Sequence, residues 1–161
     1  IGGTNANFEP ALDYIVAKMS RFPFDKFSDV TNKLGTQMKA TGEVMGIGSN
    51  LEEALMKAVR SLEIGVSHFH MAKFDNMNEN EIFEYISDFR SDSIFGVAQL
   101  IRLGADMEKI KKTTMITPYF LETIKNIVEL EKTIKDNKLD IEDERKRYLL
   151  LQKREQCISC I

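Results

Sequence analysis

The chain has 161 residues, of which 43% are apolar, so it can bury a real core within one domain or one domain and part of another. Its formal net charge of −3 excludes the strong positive field that a nucleic-acid-binding protein needs. No apolar run approaches the roughly 18 residues that cross a bilayer, and no signal-peptide pattern opens the chain. We therefore expect a cytoplasmic protein with neither membrane nor nucleic acid among its partners.

Two strands are predicted in the first third of the chain. Residues 12–19 form an apolar run with β-branched and aromatic side chains, and Pro23 ends regular pairing soon afterwards. Residues 37–47 are the second candidate, in which Gly42 indicates a bulge or a close backbone approach. Because two strands alone do not make a stable sheet, we expect missing sheet partners and an unpaired strand edge near Tyr14 or Val44.

A helix is predicted to begin after Asn50. This residue is a suitable N-cap, and Glu53 three positions later is the partner of a capping box. Apolar side chains then recur at helical spacing, and Gly65 is expected to supply the C-terminal stop. The apolar positions are Leu51, Ala54, Leu55, Ala58, Val59 and Leu62.

From residue 66 onward the pattern is helical. Asn78 and Glu81 open one helix, whose apolar face includes Ile82, Phe83, Ile86 and Phe89. Asp92 is predicted to cap the next helix, which ends at Gly104.

Three more helices are predicted in the last third. Asp106 begins a short one. Thr117-Pro118 is a strong start for the second, because a capping hydroxyl precedes a proline whose missing N–H costs nothing at the first helical position. This helix is expected to run to about Asp136, and Asp140 to cap a final helix toward Gln156. Since each apolar stripe must be buried against another, compact helical packing follows.

The turn Gly46-Ile47-Gly48 lies between the second strand and the first helix, where free N–H groups can bind a phosphate. A dinucleotide fingerprint requires a third glycine where Leu51 stands, and no Gly-Lys-Ser/Thr sequence forms a P-loop. A tight turn that needs small residues is the favoured interpretation.

Glu43 is a carboxylate inside an apolar strand and is therefore a candidate general acid, general base or metal ligand. A catalytic site needs partners within hydrogen-bonding reach, and Lys39 is the one such residue nearby in sequence. We favour a structural ion pair or a backbone cap for Glu43.

Cys157 and Cys160 have the spacing of half a zinc site or of a redox pair. Zinc needs four ligands, and the two histidines, His68 and His70, lie far away in sequence and are predicted to be surface-loop residues. A redox pair would follow a strand, which the helical surroundings do not offer. A zinc or redox protein remains the third interpretation, and bound metal would reveal it.

The aromatic cluster Pro118-Tyr119-Phe120 and the apolar helix faces can form a groove for a partner protein. Stripes at helical spacing are more often core, and burial is the favoured interpretation.

Several segments resemble the large subunit of carbamoyl phosphate synthase. Thr-Gln-Met-Lys-Ala-Thr-Gly-Glu-Val-Met-Gly-Ile-Gly at 36–48 is similar to a strand near the end of each ATP-grasp half of that subunit. Residues 7–16 and 21–27 resemble two earlier family segments in the right order, and 51–65 resembles the helix that follows. Residues 118–121 are similar to a Trp-Phe-Leu helix start, with tyrosine in place of tryptophan.

The resemblance implies a mainly α fold. Residues 1–65 would be a small α+β remnant of the first, carboxyphosphate-forming ATP-grasp domain, and 66–161 a compact helical oligomerisation domain. The parent enzyme, of the glutamine-hydrolysing type, makes carbamoyl phosphate from bicarbonate, ammonia and two ATP with Mg²⁺ or Mn²⁺, and it serves arginine and pyrimidine biosynthesis. A chain that opens on Ile1 and ends on Ile161 without a polar tail is consistent with a piece of that enzyme.

The resemblance transfers no catalytic, cofactor-binding or metal-binding residue, because the family's Glu-Met-Asn-Pro-Arg metal motif and its glycine-rich nucleotide loop are both missing from this sequence. We therefore expect a structural segment without synthase activity or a cofactor of its own. Its partners would be the rest of its large subunit, the glutaminase small subunit and, through residues 66–161, further copies of itself. The alternative is a free-standing helical adaptor with a complete core and an exposed apolar stripe.

Overall fold

The computed structural model describes residues 12–24 and 31–135, and this part of the chain is mainly helical with one small antiparallel sheet. The predicted fold class is thereby confirmed. The predicted helix from Asp140 to Gln156 lies outside the described residues. In chain order the elements are β1 (Ile15–Arg21), β2 (Gly42–Gly48), α1 (Leu51–Ser61), a 3₁₀ turn (Ala72–Phe74), α2 (Glu79–Ser87), α3 (Ser93–Leu103), α4 (Met107–Thr114) and α5 (Pro118–Lys135).

The strands β1 and β2 pair in an antiparallel register that places Ile15 opposite Gly48 and Arg21 opposite Gly42. Both strands begin later in the chain than predicted, and both are shorter than the predicted segments. The reason is that a strand extends only where a partner strand pairs with it. Gly42 therefore ends the ladder. It forms neither a bulge nor a close approach, since a Cβ atom there would meet nothing within 4 Å.

Helix α1 lies between the sheet and the other helices. Ala54 and Ala58 face the sheet and are fully buried there together with Ala17 of β1. Met56 and Val59, on another side of the helix, belong to the helical core. The large buried side chains of that core are Phe69, Phe74, Ile82, Ile86, Leu100, Ile110, Leu121 and Ile124. The predicted apolar stripes are therefore buried, and α1 joins two packed layers.

The predicted start of α1 is confirmed, and its end is not. The side chain of Asn50 accepts the backbone N–H of Glu53 at 2.8 Å, as an N-cap does. The helix already ends at Ser61, with Leu62 as its C-cap, and the left-handed residue that follows is Glu63 at φ 51°. Gly65 lies beyond this turn, so the prediction that it stops the helix is wrong.

The Glu53 carboxylate closes the first turn of α1. It accepts the backbone N–H of Ser49 at 2.8 Å and pairs with Lys57 at 2.7 Å. The hydrogen bond from Lys57, followed by that from the Ser49 backbone, lowers the pKa of Glu53 from 4.5 to about 2. Because the folded pKa is the lower one, the carboxylate stabilises the fold fully above about pH 4.5, and this contribution is lost as the pH falls toward 2.

We expect Glu53→Gln to lower the free energy of unfolding at pH 7 by about 1–2 kcal/mol, since water screens part of the ion pair. The difference from the parent should shrink between pH 5 and pH 2 as the parent's carboxylate becomes protonated. Urea unfolding followed by circular dichroism across this range measures both effects. The matched control is Glu122→Gln, whose exposed pair with Lys125 should be worth at most about 0.5 kcal/mol. A pH-independent difference for Glu53→Gln would contradict the assignment.

The starts and stops of the later helices follow the local sequence. Asn78 and Glu81 form a reciprocal capping box at α2, with bonds of 3.0 Å and 2.8 Å. Gly104 ends α3 in the left-handed conformation at φ 81°, and Asp106 caps α4 through the N–H of Glu108.

Two positions around the α2–α3 turn differ from expectation. Phe89 lies outside α2, which ends at Ser87, and it is left-handed at φ 49° with 53% of its surface exposed. Asp92 occupies the N-cap position of α3, but its side chain makes no capping hydrogen bond. Its carboxylate accepts other donors instead, from Tyr85, Asn32 and Lys73.

Candidate interaction surfaces

The structure gives Glu43 a partner that the sequence did not indicate. Its carboxylate lies 2.7 Å from Nζ of Lys18 on the neighbouring strand, and more than half of each side chain is exposed. Lys39 instead donates to the backbone carbonyl of Lys33 at 2.8 Å. An exposed ion pair of this kind is screened by water and contributes little to stability. Glu43 thus takes part in the structural ion pair that we favoured, with Lys18 in place of Lys39.

The two glycines at the end of β2 serve close packing. A Cβ atom on Gly46 would lie 2.1 Å from the carbonyl oxygen of Ala54, and one on Gly48 would lie 2.7 Å from the nitrogen of Ala54. At the start of α1 the Glu53 carboxylate already accepts the N–H of Ser49, where a phosphate would otherwise be held. These contacts support the predicted need for small residues, but residues 46–48 belong to strand β2, so the prediction of a turn at these positions is wrong.

The two histidines lie in the loop between α1 and the 3₁₀ turn, as predicted. Their rings stack with centroids 5.5 Å apart, and Nε2 of His70 is 2.9 Å from Oδ1 of Asp75. Within residues 12–24 and 31–135, no group of three or more His, Cys, Asp or Glu side chains could hold a metal ion. Cys157 and Cys160 lie outside these ranges, so the zinc or redox interpretation of that pair stays a prediction. None of the helices in the described part is long and apolar enough to cross a membrane.

One face of the sheet is packed and the other is exposed. Side chains alternate along each strand, so Ala17 and Gly46 contact α1 while Val16, Met45 and Ile47 point the opposite way. Val16 lies opposite Ile47 on this outer sheet face, and the three apolar residues are 44–62% exposed. Among the described residues each strand has a single neighbour, which leaves the open edges expected near Tyr14 and Val44.

A second exposed apolar group lies where α4 joins α5. It consists of Met115, Tyr119 and Phe120, which are 78%, 65% and 45% exposed, and we call it the corner patch. The rings of Tyr119 and Phe120 contact each other edge to face with centroids 5.6 Å apart. The prediction that this aromatic cluster is buried is therefore wrong.

Helix geometry explains the exposure of Tyr119 but not that of Phe120. The buried side chains of α5 recur at helical spacing from Leu121 through Ile124 and Ile127 to Val128. Tyr119 precedes this stripe in the first turn and lies off its direction, whereas Phe120 lies one turn before Ile124 on the same side of the helix and is still 45% exposed. Met115 ends α4 in the left-handed conformation at φ 59°, which reverses the chain before α5 begins. Exposed apolar groups of this kind mark contact surfaces more often than isolated residues do.

Sequence reasoning predicted the strand edges but missed the outer sheet face. The signal was available, because Glu43, Met45 and Ile47 occupy alternate positions between the small or buried residues of β2. It also missed the polar contacts of Asp92. The sequence indicated only that Asp92 could cap α3, and this does not reveal which distant side chains its carboxylate contacts.

A comparison with protein-family models finds one that matches the chain over residues 43–156. Its description is "Carbamoyl-phosphate synthetase large chain, oligomerisation domain". The match covers more than half of the chain, begins inside β2 and includes all five described helices. It also includes the corner patch and extends across the predicted domain boundary after residue 65.

Proposed function

Because the chain belongs to the family of carbamoyl-phosphate synthetase large-chain oligomerisation domains, we propose that it joins copies of the large chain through the corner patch. The family match makes the chain a structural part of a ligase subunit. The finer assignment concerns which surface associates and what the whole enzyme does.

The observation that carries this proposal is the exposure of Met115, Tyr119 and Phe120 within the helical part. Burying a large apolar side chain contributes about 1.5–3 kcal/mol, so three of them in each copy can offset part of the cost of association. Aromatic residues and methionine are also enriched in the centres of protein interfaces. Lys112 precedes the patch in the chain and Glu122 follows it, both are exposed, and charges of both signs suit a two-fold interface between identical copies.

The outer sheet face and the open strand edges suit a different partner. We propose that the rest of the same large chain covers them, with residues 1–65 as the end of an ATP-grasp domain. The family match, which starts at residue 43, supports this assignment for β1, whereas residues 43–65 fall inside the oligomerisation-domain model. The open edges also favour a piece of a larger protein over a free-standing adaptor, although the helical core by itself is complete enough for either.

We also propose the chemistry of the parent enzyme that the sequence resemblance implies, namely synthesis of carbamoyl phosphate from bicarbonate, glutamine-derived ammonia and two ATP with Mg²⁺ or Mn²⁺. The glutaminase subunit as a partner, the arginine and pyrimidine pathways and a cytoplasmic location belong to the same proposal. This chain alone should be inactive, because its described residues hold no cluster of carboxylates that could bind a metal–nucleotide complex. Bicarbonate-dependent ATP hydrolysis by the purified chain would contradict its inactivity.

The association surface can be tested with the variant Tyr119→Gln/Phe120→Gln. We expect its self-association, measured by sedimentation equilibrium, to weaken at least about tenfold, because two apolar anchors are lost from the interface. The control is Met38→Gln, which removes a side chain that is 88% exposed and lies outside both apolar surfaces. Its Kd should equal that of the parent chain.

Two results would overturn the assignment of the corner patch. One is an unchanged Kd for the double variant, and the other is a larger effect from Met45→Gln on the outer sheet face. In the second case copies would associate through the sheet. Thermal unfolding of each variant shows whether the fold is preserved, which we expect since all the replaced side chains are exposed.

A further inference from the structure

The connection that leads into β2 is attached to the helical part at a distance from the sheet. Residues 31–40, which we call the strap, pass the turn between α2 and α3. There the N–H of Leu34 donates to the carbonyl of Phe89 at 2.9 Å, and the N–H of Ser91 donates to that of Asn32 at 3.1 Å. Together they form a short antiparallel bridge centred on Lys33 and Arg90.

The carboxylate of Asp92 is the centre of the side-chain contacts at this bridge. It accepts the hydroxyl of Tyr85 at 2.9 Å and Nδ2 of Asn32 at 3.3 Å, and it forms an ion pair with Lys73. Asn32 also donates to the Tyr85 hydroxyl at 3.1 Å. An aspartate at an N-cap position ordinarily accepts an N–H of its own helix, whereas Asp92 uses its charge to hold the strap.

An outer layer of charges supports the same contact. Asp88 lies 3.0 Å from Nζ of Lys33 on the strap and 2.8 Å from Nη2 of Arg90. These two cations, Arg90 before Lys33, lower the pKa of the Asp88 carboxyl. The Arg90 guanidinium also lies over the ring of Tyr85, 4.3 Å from its centroid.

Two features of the α2–α3 turn at the bridge are unfavourable, and the strap adds little apolar burial. Phe89 adopts a left-handed conformation at φ 49°, which is unfavourable for a non-glycine residue. Nε of Arg90 is buried without a hydrogen-bond partner among the described residues, and a buried unpaired donor is unfavourable. The strap buries little apolar surface in return, since its residues are exposed or only half-buried.

No strap residue belongs to the described helical core or to the half-buried apolar side chains packed against it. Phe74, Ile86 and Phe95 pack there with 2% exposure or less. Opening the strap would break two backbone hydrogen bonds, the contacts of Asn32 with Asp92 and Tyr85 and the Lys33–Asp88 pair, none of which is part of this apolar packing. A weakly held polar contact over a well-packed core is the structural character of a locally opening unit.

We propose that the strap is a releasable latch between the β1–β2 connection and the α2–α3 turn, with Asp92 as the positioning residue that keeps it closed. When the strap is closed, a displacement of the β1–β2 connection is transmitted to the α2–α3 turn through the backbone hydrogen bonds at Phe89 and Ser91. In the open state the sheet remains joined to the helices through its packing against α1. The latch is independent of the proposed association surface, whose residues lie in the α4–α5 corner.

Amide hydrogen exchange measured by NMR on the whole chain tests this proposal, using Asp92→Asn. The substitution keeps the side-chain size but removes the charge that strengthens the bonds to Tyr85, Asn32 and Lys73. We expect the Leu34 and Ser91 amides to exchange at least about tenfold faster. Amides within α1 and α5 should keep the rates of the parent chain.

Asp106→Asn is the matched control, because it makes the same change at an N-cap whose side chain does cap its helix and asparagine caps equally well. It should leave the Leu34 and Ser91 rates unchanged. If Asp92→Asn fails to fold, Tyr85→Phe removes one donor to the carboxylate and should give the same local effect. Uniform acceleration of all amides would show a purely structural contact, and no acceleration would show that Asp92 does not hold the strap. Either result would overturn the proposal.

Discussion

Replacing Gly46 by alanine is expected to lower the free energy of unfolding by about 3 kcal/mol or more, or to prevent folding. A Cβ atom at this position would lie 2.1 Å from the carbonyl oxygen of Ala54 and 2.6 Å from the nitrogen of Ala58. Both are backbone atoms of α1, so no side-chain rotation can relieve the clash. The helix would have to move away from β2, and the packing of Ala54 and Ala58 on the sheet would be lost.

The same strand provides the control for Gly46→Ala. Gly42→Ala adds the same methyl group where nothing lies within 4 Å, and it should change stability by less than about 1 kcal/mol. Urea unfolding followed by circular dichroism compares the two variants. Equal losses for both variants would mean that alanine destabilises this strand at either position. The close approach of Gly46 to α1 would then add no further cost.

The second large effect is expected at Arg102 of α3. Its Nη2 atom donates to the backbone carbonyl of Phe69 and to Oε2 of Glu131, both at 2.7 Å. The ion pair is largely buried, with 18% of the arginine side chain and 10% of the glutamate side chain exposed. Arg102→Met should cost about 3–5 kcal/mol, because the Glu131 carboxylate is then left buried without a cation.

The buried location of this ion pair predicts the outcome of two further variants. Arg102→Met/Glu131→Leu should recover much of the loss, since removing both charges leaves no buried charge unpaired. Glu131 Oε1 already lacks a hydrogen-bond partner among the described residues, which lowers the cost of losing the carboxylate. Lys111→Met breaks an exposed pair with Glu108 and should cost at most about 0.5 kcal/mol. A loss below about 1 kcal/mol for Arg102→Met would show that water reaches the pair.

Local sequence was sufficient for most helix boundaries. Asn50, Asn78 and Asp106 cap their helices because a short side chain can reach the N–H two or three residues ahead, whatever lies elsewhere in the chain. Gly104 ends α3 for a similarly local reason. Gly65 did not follow this rule, since Glu63 adopts the left-handed conformation first.

The candidate surfaces were harder to predict from the sequence, because the exposure of a side chain depends on which residues it contacts in the folded chain. Tyr119 and Phe120 have the same apolar character as Leu121, but only Leu121 faces the core. The partner of Glu43 depended on strand register, which places Lys18 nearby and leaves Lys39 elsewhere.

The sequence by itself determined the family, the mainly helical fold and the order of its elements, since these depend on apolar periodicity and on caps within a few residues. Only the tertiary structure decided that Gly46 carries the close approach to α1, that the corner patch is exposed and that Asp92 holds the strap. Each of these depends on contacts between residues far apart in the chain. Such contacts are set by packing and register, and a local pattern does not encode them.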